Sequence, residues 1–505
     1  MTTRTSTPSR DTLLPHQQVA HDFIVANPAC AVWLGVGAAK TKTTLTALQT
    51  LRPPGHTLVV APLQIARNSW TDEIAKWGFS VRVRSLTDGV AKRRTKRNPD
   101  GIRRLTTHER HALYAELRDP GTPPSIWVAS LSLLDELVQA MGFLDPCGPE
   151  DYITPGPEAT WPFPTVILDE AQEFKNGRSN RFQTLFQVRL SIKRIIELTG
   201  TPSPQNLLDL WSQMALLDGG RALGPSYAEF RESYFDPDKY VDNQPVSWRL
   251  KPGADKHIHA AVAHLVVSVE NNSVVKPPTP RIGTYHVGLD PETKERYRQF
   301  VRDRVLELAP DTKTGEVPVI AADTAAHLRA VLMQFASGTV YNGPNHRVDF
   351  EIIHAAKFEA LLTILRATPT PVMVAYRFQA DETRLLAQLP EHGFAVEKFN
   401  GSPDMVRRWN NRQIPVLLLQ PASSGRGLNL QHGSHTIVWY TLPDSSEQWT
   451  QTNGRLVRIG QTSTVDIVRL VTAGTVDTLQ IPRLENKLTT QQDLLEAVRD
   501  IIAGP

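Results

Sequence analysis

The stretch CAVWLGVGAAKTKTTLTALQTL, residues 30–51, decides the fold. Its first seven residues form a short apolar run of the kind found in strands buried on both faces. Its last ten, KTTLTALQTL, read as a helix. Between them GAAKT makes a tight turn. A glycine-containing turn between a strand and a helix presents backbone N–H groups to phosphates at the helix N-terminus. In such a loop Gly37, Ala38 and Ala39 line the phosphates. Lys40 reaches the β- and γ-phosphates, and the Thr41 hydroxyl meets magnesium. The strict pattern GxxxxGK[ST] is broken twice, at Leu34 and at Ala39. From these residues alone, a phosphate loop and a chance Lys-Thr at a helix start both stand.

A second stretch lies further along. TVILDEAQEFKN, residues 165–176, ends an apolar strand on Asp169 and Glu170. Ligands of open α/β sheets bind beyond the carboxyl ends of the strands. There Asp169, with Thr41, is placed to hold a metal ion, and Glu170 to position and deprotonate an attacking water. An acidic pair on the surface at a strand end is the plainer reading.

The same pattern organises most of the chain. Strands are expected at 30–36, 56–62, 125–130 and 165–170, with helices between them, which predicts βαβ units and a parallel sheet. The last third repeats this at 370–376, 394–399, 414–420, 435–440 and 465–471. Residues 216–350 differ, with helical pieces between loops rich in proline and glycine. The expected organisation is a flexible leader over 1–12, an α/β lobe over 13–215, a helical bridge over 216–350 and a second α/β lobe over 351–505. The polar loop 145–164 reads as a surface insertion.

Composition narrows the class. The 505 residues are 40% hydrophobic and 21% charged, as in folded proteins. With 55 basic and 52 acidic residues the net charge is +3, so any nucleic-acid footprint must be local. Two cysteines, Cys30 and Cys147, exclude a disulfide framework and suit a reducing cytoplasm. No apolar run approaches the roughly 18 residues of a membrane span.

Two further pieces are weak alone. In LLPHQQ, residues 13–18, Gln17 can form a two-pronged hydrogen bond to an adenine edge. In EQWTQTNGRLVRIGQ, residues 447–461, Arg455 and Arg458 are three apart, on one helical face. Such a pair can reach a γ-phosphate as arginine fingers, or can simply be solvated.

Taken in order, these pieces resemble the Swi/Snf-type DNA translocases of helicase superfamily two, in particular their compact stand-alone branch of phages and bacteria. The resemblance runs from about residue 13 to 495. It is carried by LLPHQQ, GAAKT, TLVVAPLQIARNSWTDEIAKW (57–77), VILDEAQEFKN, LTGTPSPQNLLDLWSQM (198–214), QPASSGRGLNLQHGSHTIVWY (420–440) and QTNGRLVRIGQ (451–461). It implies two RecA-like parallel-sheet lobes of the P-loop NTPase kind, with ATP and magnesium bound between them. It assigns Gln17 to adenine, Lys40 and Thr41 to phosphates and metal, and Asp169 and Glu170 to metal and water. Arg455 and Arg458 become fingers from the second lobe, with Gln451 nearby. Thr199, Gly200 and Thr201, and Ser423, Ser424 and Asn429, fall in segments that couple nucleotide state to DNA contact. Ala39 departs from the family's glycine, Gln172 from its frequent histidine, and Val457 from a histidine between the arginines.

The resemblance implies duplex DNA as the track, with no reading of sequence, and a cytoplasmic location (the host's, if phage-encoded). A local cluster of positive charge over 82–110, including Arg93, Arg94, Lys96 and Arg97, fits phosphate contact or a solvated loop. Trp70, Trp77 and Trp211 are expected to pack rather than stack on bases. Three alternatives stay open: a strand-separating helicase, a restriction-type motor subunit, and a non-hydrolysing DNA-binding scaffold, which Ala39 alone favours. If the loop takes positive φ at residue 39, alanine there is strained. The expected result is a slow or low-affinity ATPase that Ala39→Gly improves about tenfold.

Overall fold

The computed structural model describes residues 13–35, 38–90, 102–143, 159–200, 207–241, 244–269, 278–308, 322–341, 349–421, 429–458 and 461–485. The chain divides into two compact units, 1–275 and 276–505.

In the first unit the strands are β1 (Ala29–Leu34), β2 (Thr57–Ala61), β3 (Val83–Ser85), a small ribbon of β4 (Asp88–Val90) and β5 (Ile102–Arg104), then β6 (Ile126–Ser130), β7 (Thr165–Asp169), β8 (Arg194–Thr199), a hairpin of β9 (Phe235–Val241) and β10 (Gln244–Leu250), and β11 (Val266–Val269). Seven of them form one parallel sheet in the order β11-β1-β8-β7-β2-β6-β3. Alternate residues feed two apolar layers. Ala31 and Trp33 join the layer on one face, and Cys30, Val32 and Leu34 the layer on the other. Burial on both faces is why these strands read as near-continuous apolar runs.

The strand order positions the site. Between β1 and β2 in space lie β8 and β7, so the chain leaving β1 crosses two strands before it re-enters the sheet. Such a reversal opens a crevice at the carboxyl ends of the central strands. Register brings those ends level: Trp33 pairs with Thr199, and Asp169 with Leu198.

The second unit contains β12 (Arg281–Val287), a ribbon of β13 (Thr339–Tyr341) and β14 (Phe350–Ile352), then β15 (Val372–Ala375), β16 (Val396–Lys398), β17 (Val416–Leu419), β18 (Thr436–Trp439) and β19 (Asp466–Thr472). Six form a second parallel sheet, β12-β19-β18-β15-β17-β16, with an apolar layer on each face. The chain therefore has the expected α/β class, two parallel-sheet lobes of RecA type.

The stretch 216–350, expected as a bridge, does not stand apart. Its β11 is an edge strand of the first sheet and its β12 an edge strand of the second, and the division between units falls inside it. The leader 1–12 and most of the loop 145–164 lie outside the described residues. No helix among the described residues is long and apolar enough to cross a membrane.

Candidate nucleotide site

The loop after β1 leads into helix α2 (Lys40–Leu51), and Ala39 is its N-terminal cap. Ala39 has φ +56° and ψ 45°, the left-handed conformation that glycine adopts freely and alanine does not. The condition for strain set by the sequence is met. No acidic residue occupies the first turn of α2, so its N-terminal partial positive charge is available to an anion. Lys40 Nζ donates to the Leu34 carbonyl at 3.1 Å. Thr41 is half-buried in the first turn. Gly37 lies outside the described residues.

Gln17 lies in helix α1 (Pro15–Ala26) and is almost fully buried. Its Nε2 donates to the Ala38 carbonyl at 3.3 Å, and its Oε1 accepts from the Leu14 backbone N–H at 3.0 Å. Gln17 thus braces the loop to α1.

Asp169 is the last residue of β7 and is 5% exposed. Burial, then the neighbouring charge of Glu170, pushes its carboxyl up to about 6, while Lys40 draws it down. Trp70 Nε1 donates to Asp169 Oδ2 at 2.9 Å. Glu170 follows at φ +60°, a second left-handed non-glycine residue at this site. Its Oε2 accepts from Gln172 Nε2 at 2.6 Å, and Gln172 Oε1 accepts from the Thr199 hydroxyl at 2.7 Å. A hydrogen-bonded line, buried at its Thr199 end, therefore runs from the end of β8 to the Glu170 carboxylate. Gly200, the next residue, is half-buried.

The donor set suits magnesium. A carboxylate and a hydroxyl are hard oxygen ligands, and magnesium takes one or two protein ligands plus phosphates and water. Among the described residues no group of three or more His, Cys, Asp or Glu could hold a metal without such outside ligands.

The arginine pair of the second unit departs from expectation. The helix Ser446–Asn453 ends before it, and Gly454 caps that helix, so Arg455 and Arg458 lie in the turn that follows and not on a helical face. The Arg455 backbone N–H donates to the Thr452 carbonyl at 3.2 Å. Its guanidinium is buried over the Phe399 ring, 6.0 Å from the centroid. Burial, then Arg458, lowers its pKa to about 10, so it stays charged at neutral pH. Arg458 is half-buried. Gln451 Nε2 donates to Glu447 Oε1 at 2.9 Å. The Asn429 carbonyl accepts from Asn410 Nδ2 at 3.0 Å.

The core of the basic segment, with Arg93, Arg94, Lys96 and Arg97, lies outside the described residues, as do Thr201, Ser423 and Ser424. At its flanks three arginines are paired with carboxylates. Arg82 and Arg84 both pair with Glu116, and Arg110 pairs with Glu136 at 2.7 Å. Trp70 and Trp211 are core residues, as expected, and Trp77 is partly buried with Lys42 Nζ 4.1 Å from its ring centroid. Sequence reasoning missed the bonds from Trp70 to Asp169 and from Thr199 to Gln172. No local signal could have found them, since the partners are 99 and 27 residues apart.

Comparison with known proteins shows the family of the chain. Residues 35–317 match the model of the SNF2-related domain. The chain is 30% identical to protein p41 of Acyrthosiphon pisum secondary endosymbiont phage 1, over 96% of this chain and 98% of that one. It is 24% identical to an uncharacterized ATP-dependent helicase of Mycoplasma pneumoniae, over 62% of this chain and 29% of that one. It is 22% identical to the chromodomain-helicase-DNA-binding protein 1-like of Danio rerio, over 67% and 33%. The chain thus spans nearly all of the phage protein and about a third of the other two. The Sulfolobus solfataricus SWI2/SNF2 ATPase core, solved in complex with dsDNA, aligns over 97% of this chain and 93% of that one, at 18% identity and a TM-score of 0.37. With a family match across more than half its length and a full-length phage relative, the chain belongs to the SNF2-related family.

Proposed function

We propose that this chain is an ATPase stimulated by DNA that moves along the duplex without reading its sequence. The observation that carries the reading is the gathering of Lys40, Asp169, Glu170 and Thr199 at the carboxyl ends of adjacent strands, joined by the line Thr199–Gln172–Glu170. Lys40 and the N–H groups at the start of α2 bind the phosphates, and Gln17 meets the adenine. Asp169 and Thr41 hold magnesium. When bound, magnesium offsets the negative charge that develops on the transferred phosphoryl group. Glu170 orients the attacking water and takes its proton. Arg455 and Arg458 serve as arginine fingers for the γ-phosphate.

The hydrogen-bonded line gives Glu170 a physical connection to the segment that follows β8. Movement of Thr199 changes what Gln172 accepts, and so changes the hold on Glu170. This supports coupling between the track and hydrolysis. Duplex DNA as the track rests on family membership and on Arg93, Arg94, Lys96 and Arg97, which neutralise backbone phosphates in this reading.

The deciding measurement is the ATPase rate without nucleic acid and with duplex DNA, single strands and RNA. Duplex stimulation together with triplex displacement supports translocation. Strand displacement on forked DNA would instead favour a helicase. Absence of hydrolysis under every condition would favour a DNA-binding scaffold, the reading that the left-handed Ala39 suggests.

A further inference from the structure

We propose that Trp70 is a positioning residue for the metal-holding carboxylate: its indole N–H commits Asp169 Oδ2 to the protein, so that ligation falls to Oδ1. The inference rests on the assignment of Asp169 to magnesium made above. The bond is 2.9 Å long and buried, between a side chain that is 0% exposed and one that is 5% exposed.

A plainer account makes Trp70 a core residue whose buried N–H needed an acceptor. Among the described residues the core indoles go both ways. Trp33, Trp127 and Trp161 each bury an indole nitrogen that meets no hydrogen-bond partner, while Trp211, Trp409 and Trp439 donate to Gly224, Leu430 and Asn453. What sets Trp70 apart is its acceptor, a carboxylate at a strand end that the proposed chemistry uses.

The local backbone is built to deliver that ring. Trp70 opens helix α3 (Trp70–Trp77), and the turn before it, Ile65–Ser69, is π-helical. A π turn holds more residues than an α turn and so shifts the phase of the residues after it. Such turns concentrate at functional sites. Here the shift brings the first residue of α3 into the apolar layer beneath the strand ends.

The donor's chemistry also fits. Indole donates one hydrogen bond and carries no charge. An arginine or lysine at this place would fix the carboxylate equally well, but would neutralise it and compete with the metal. A neutral donor on a rigid ring orients Asp169 and leaves its charge for the cation. Such supporting partners usually matter about 10–100-fold for metal affinity.

The test replaces Trp70→Phe, which keeps an aromatic ring and removes the N–H. Binding of a fluorescent ATP analogue is followed as magnesium is varied, beside the melting temperature. We expect the magnesium midpoint to rise roughly tenfold, with affinity at saturating magnesium within about twofold of the wild type. A lowered melting temperature with an unmoved midpoint means a packing role and overturns the inference. A second measurement needs no change at Trp70. In protein labelled at the indole nitrogens, Asp169→Asn and magnesium with a slowly hydrolysed ATP analogue should each shift one and the same indole N–H resonance. The lack of a shared resonance overturns the inference. Failure of the wild type to bind nucleotide at any magnesium concentration sinks the ATPase reading and this inference together. Normal binding with an unmoved midpoint sinks this inference alone.

Discussion

Asp477 in the second unit and Asp169 in the first are both buried aspartates, and the protein treats them differently. Asp477 faces Lys357 at 2.5 Å, and both side chains are shut off from solvent. Lys357 also donates to the Tyr440 carbonyl at 3.1 Å, and Asp477 accepts from the Thr472 backbone N–H at 2.9 Å. That charge is answered inside the fold. Asp169 instead takes a neutral indole donor, and its carboxyl is pushed up to about 6. Glu197, in the middle of β8, forms a third case, since both its oxygens are buried without a hydrogen-bond partner among the described residues. Under the proposed function, the contrast separates a carboxylate closed for structure from one left open for chemistry.

The largest expected effect falls on the open site. Glu170→Gln keeps the shape but removes the proton acceptor. Turnover should fall about 10²–10⁴-fold while nucleotide still binds. Single-turnover hydrolysis beside a binding titration measures both. Turnover near the wild-type rate would remove Glu170 from the chemistry. Stability should hardly change, because Glu170 is only partly buried.

The closed pair should behave the opposite way. Lys357→Ala leaves Asp477 charged and alone in the second unit, and removal of one partner from a buried pair costs about 3–5 kcal/mol. Chemical denaturation should show that loss. Replacing both residues, Lys357→Met with Asp477→Leu, should recover most of it, since apolar side chains often replace a buried pair at little cost. If the single change costs less than about 1 kcal/mol, well below that range, the pair is not closed and the contrast with Asp169 fails.

Glu197 sharpens the comparison through pH. Burial drives its carboxyl well above the ordinary value, against the pull of Arg189. The unfolded chain then ionises first as pH rises. Wild-type stability should therefore fall with pH from the ordinary carboxylate range upward, until the folded group also ionises. The slope is at most about 1.4 kcal/mol per pH unit for one proton. Glu197→Gln cannot titrate and should lack this slope, so the two proteins converge near pH 4 and diverge toward pH 8. Parallel stability curves would mean that Glu197 has a partner that meets its charge.

The sequence displays the open site better than its supports. Asp169, Glu170 and Lys40 stand at ends of apolar runs, where a reader expects ligand groups, and the strands at 30–34, 165–169 and 436–439 are visible because both faces are buried. The edge strands β11 and β12 are not visible. The first is only four residues long, and the second exposes Ile282 and Tyr285, so neither shows an unbroken apolar run. Their partners, β1 and β19, are also remote in sequence. The arginine pair misled for a local reason. Spacing of three suggests a helical face, but Asn453-Gly454 ends the helix first. The Trp70 and Thr199 bonds depend on tertiary packing, which no window of sequence contains.

Ala39 gives the smallest expected effect, and the structure moves it to a different measurement. The sequence predicts that glycine at this position tightens ATP binding or raises turnover about tenfold, by relieving a strain of about 1–2 kcal/mol. That holds if alanine turns left-handed only when nucleotide arrives. Here Ala39 has φ +56°, and Gln17 and Lys40 donate to the carbonyls of Ala38 and Leu34 in the same loop. Bonds internal to the protein brace the left-handed turn, so the strain belongs to the fold and is not a cost of binding. Ala39→Gly should relieve it in the free and bound protein alike. Relief of about 1–2 kcal/mol is partly offset by the greater freedom of glycine in the unfolded chain, about 0.4–1 kcal/mol. The expected outcome is a stability gain of about 0–1.5 kcal/mol and a change in nucleotide affinity below about twofold, roughly 0.4 kcal/mol. Denaturation and a fluorescent-nucleotide titration on the same two proteins separate the cases. A tenfold gain in affinity with unchanged stability would show that the loop is not preset. The left-handed turn would then form only around the phosphates, and the bonds from Gln17 and Lys40 would have to break first.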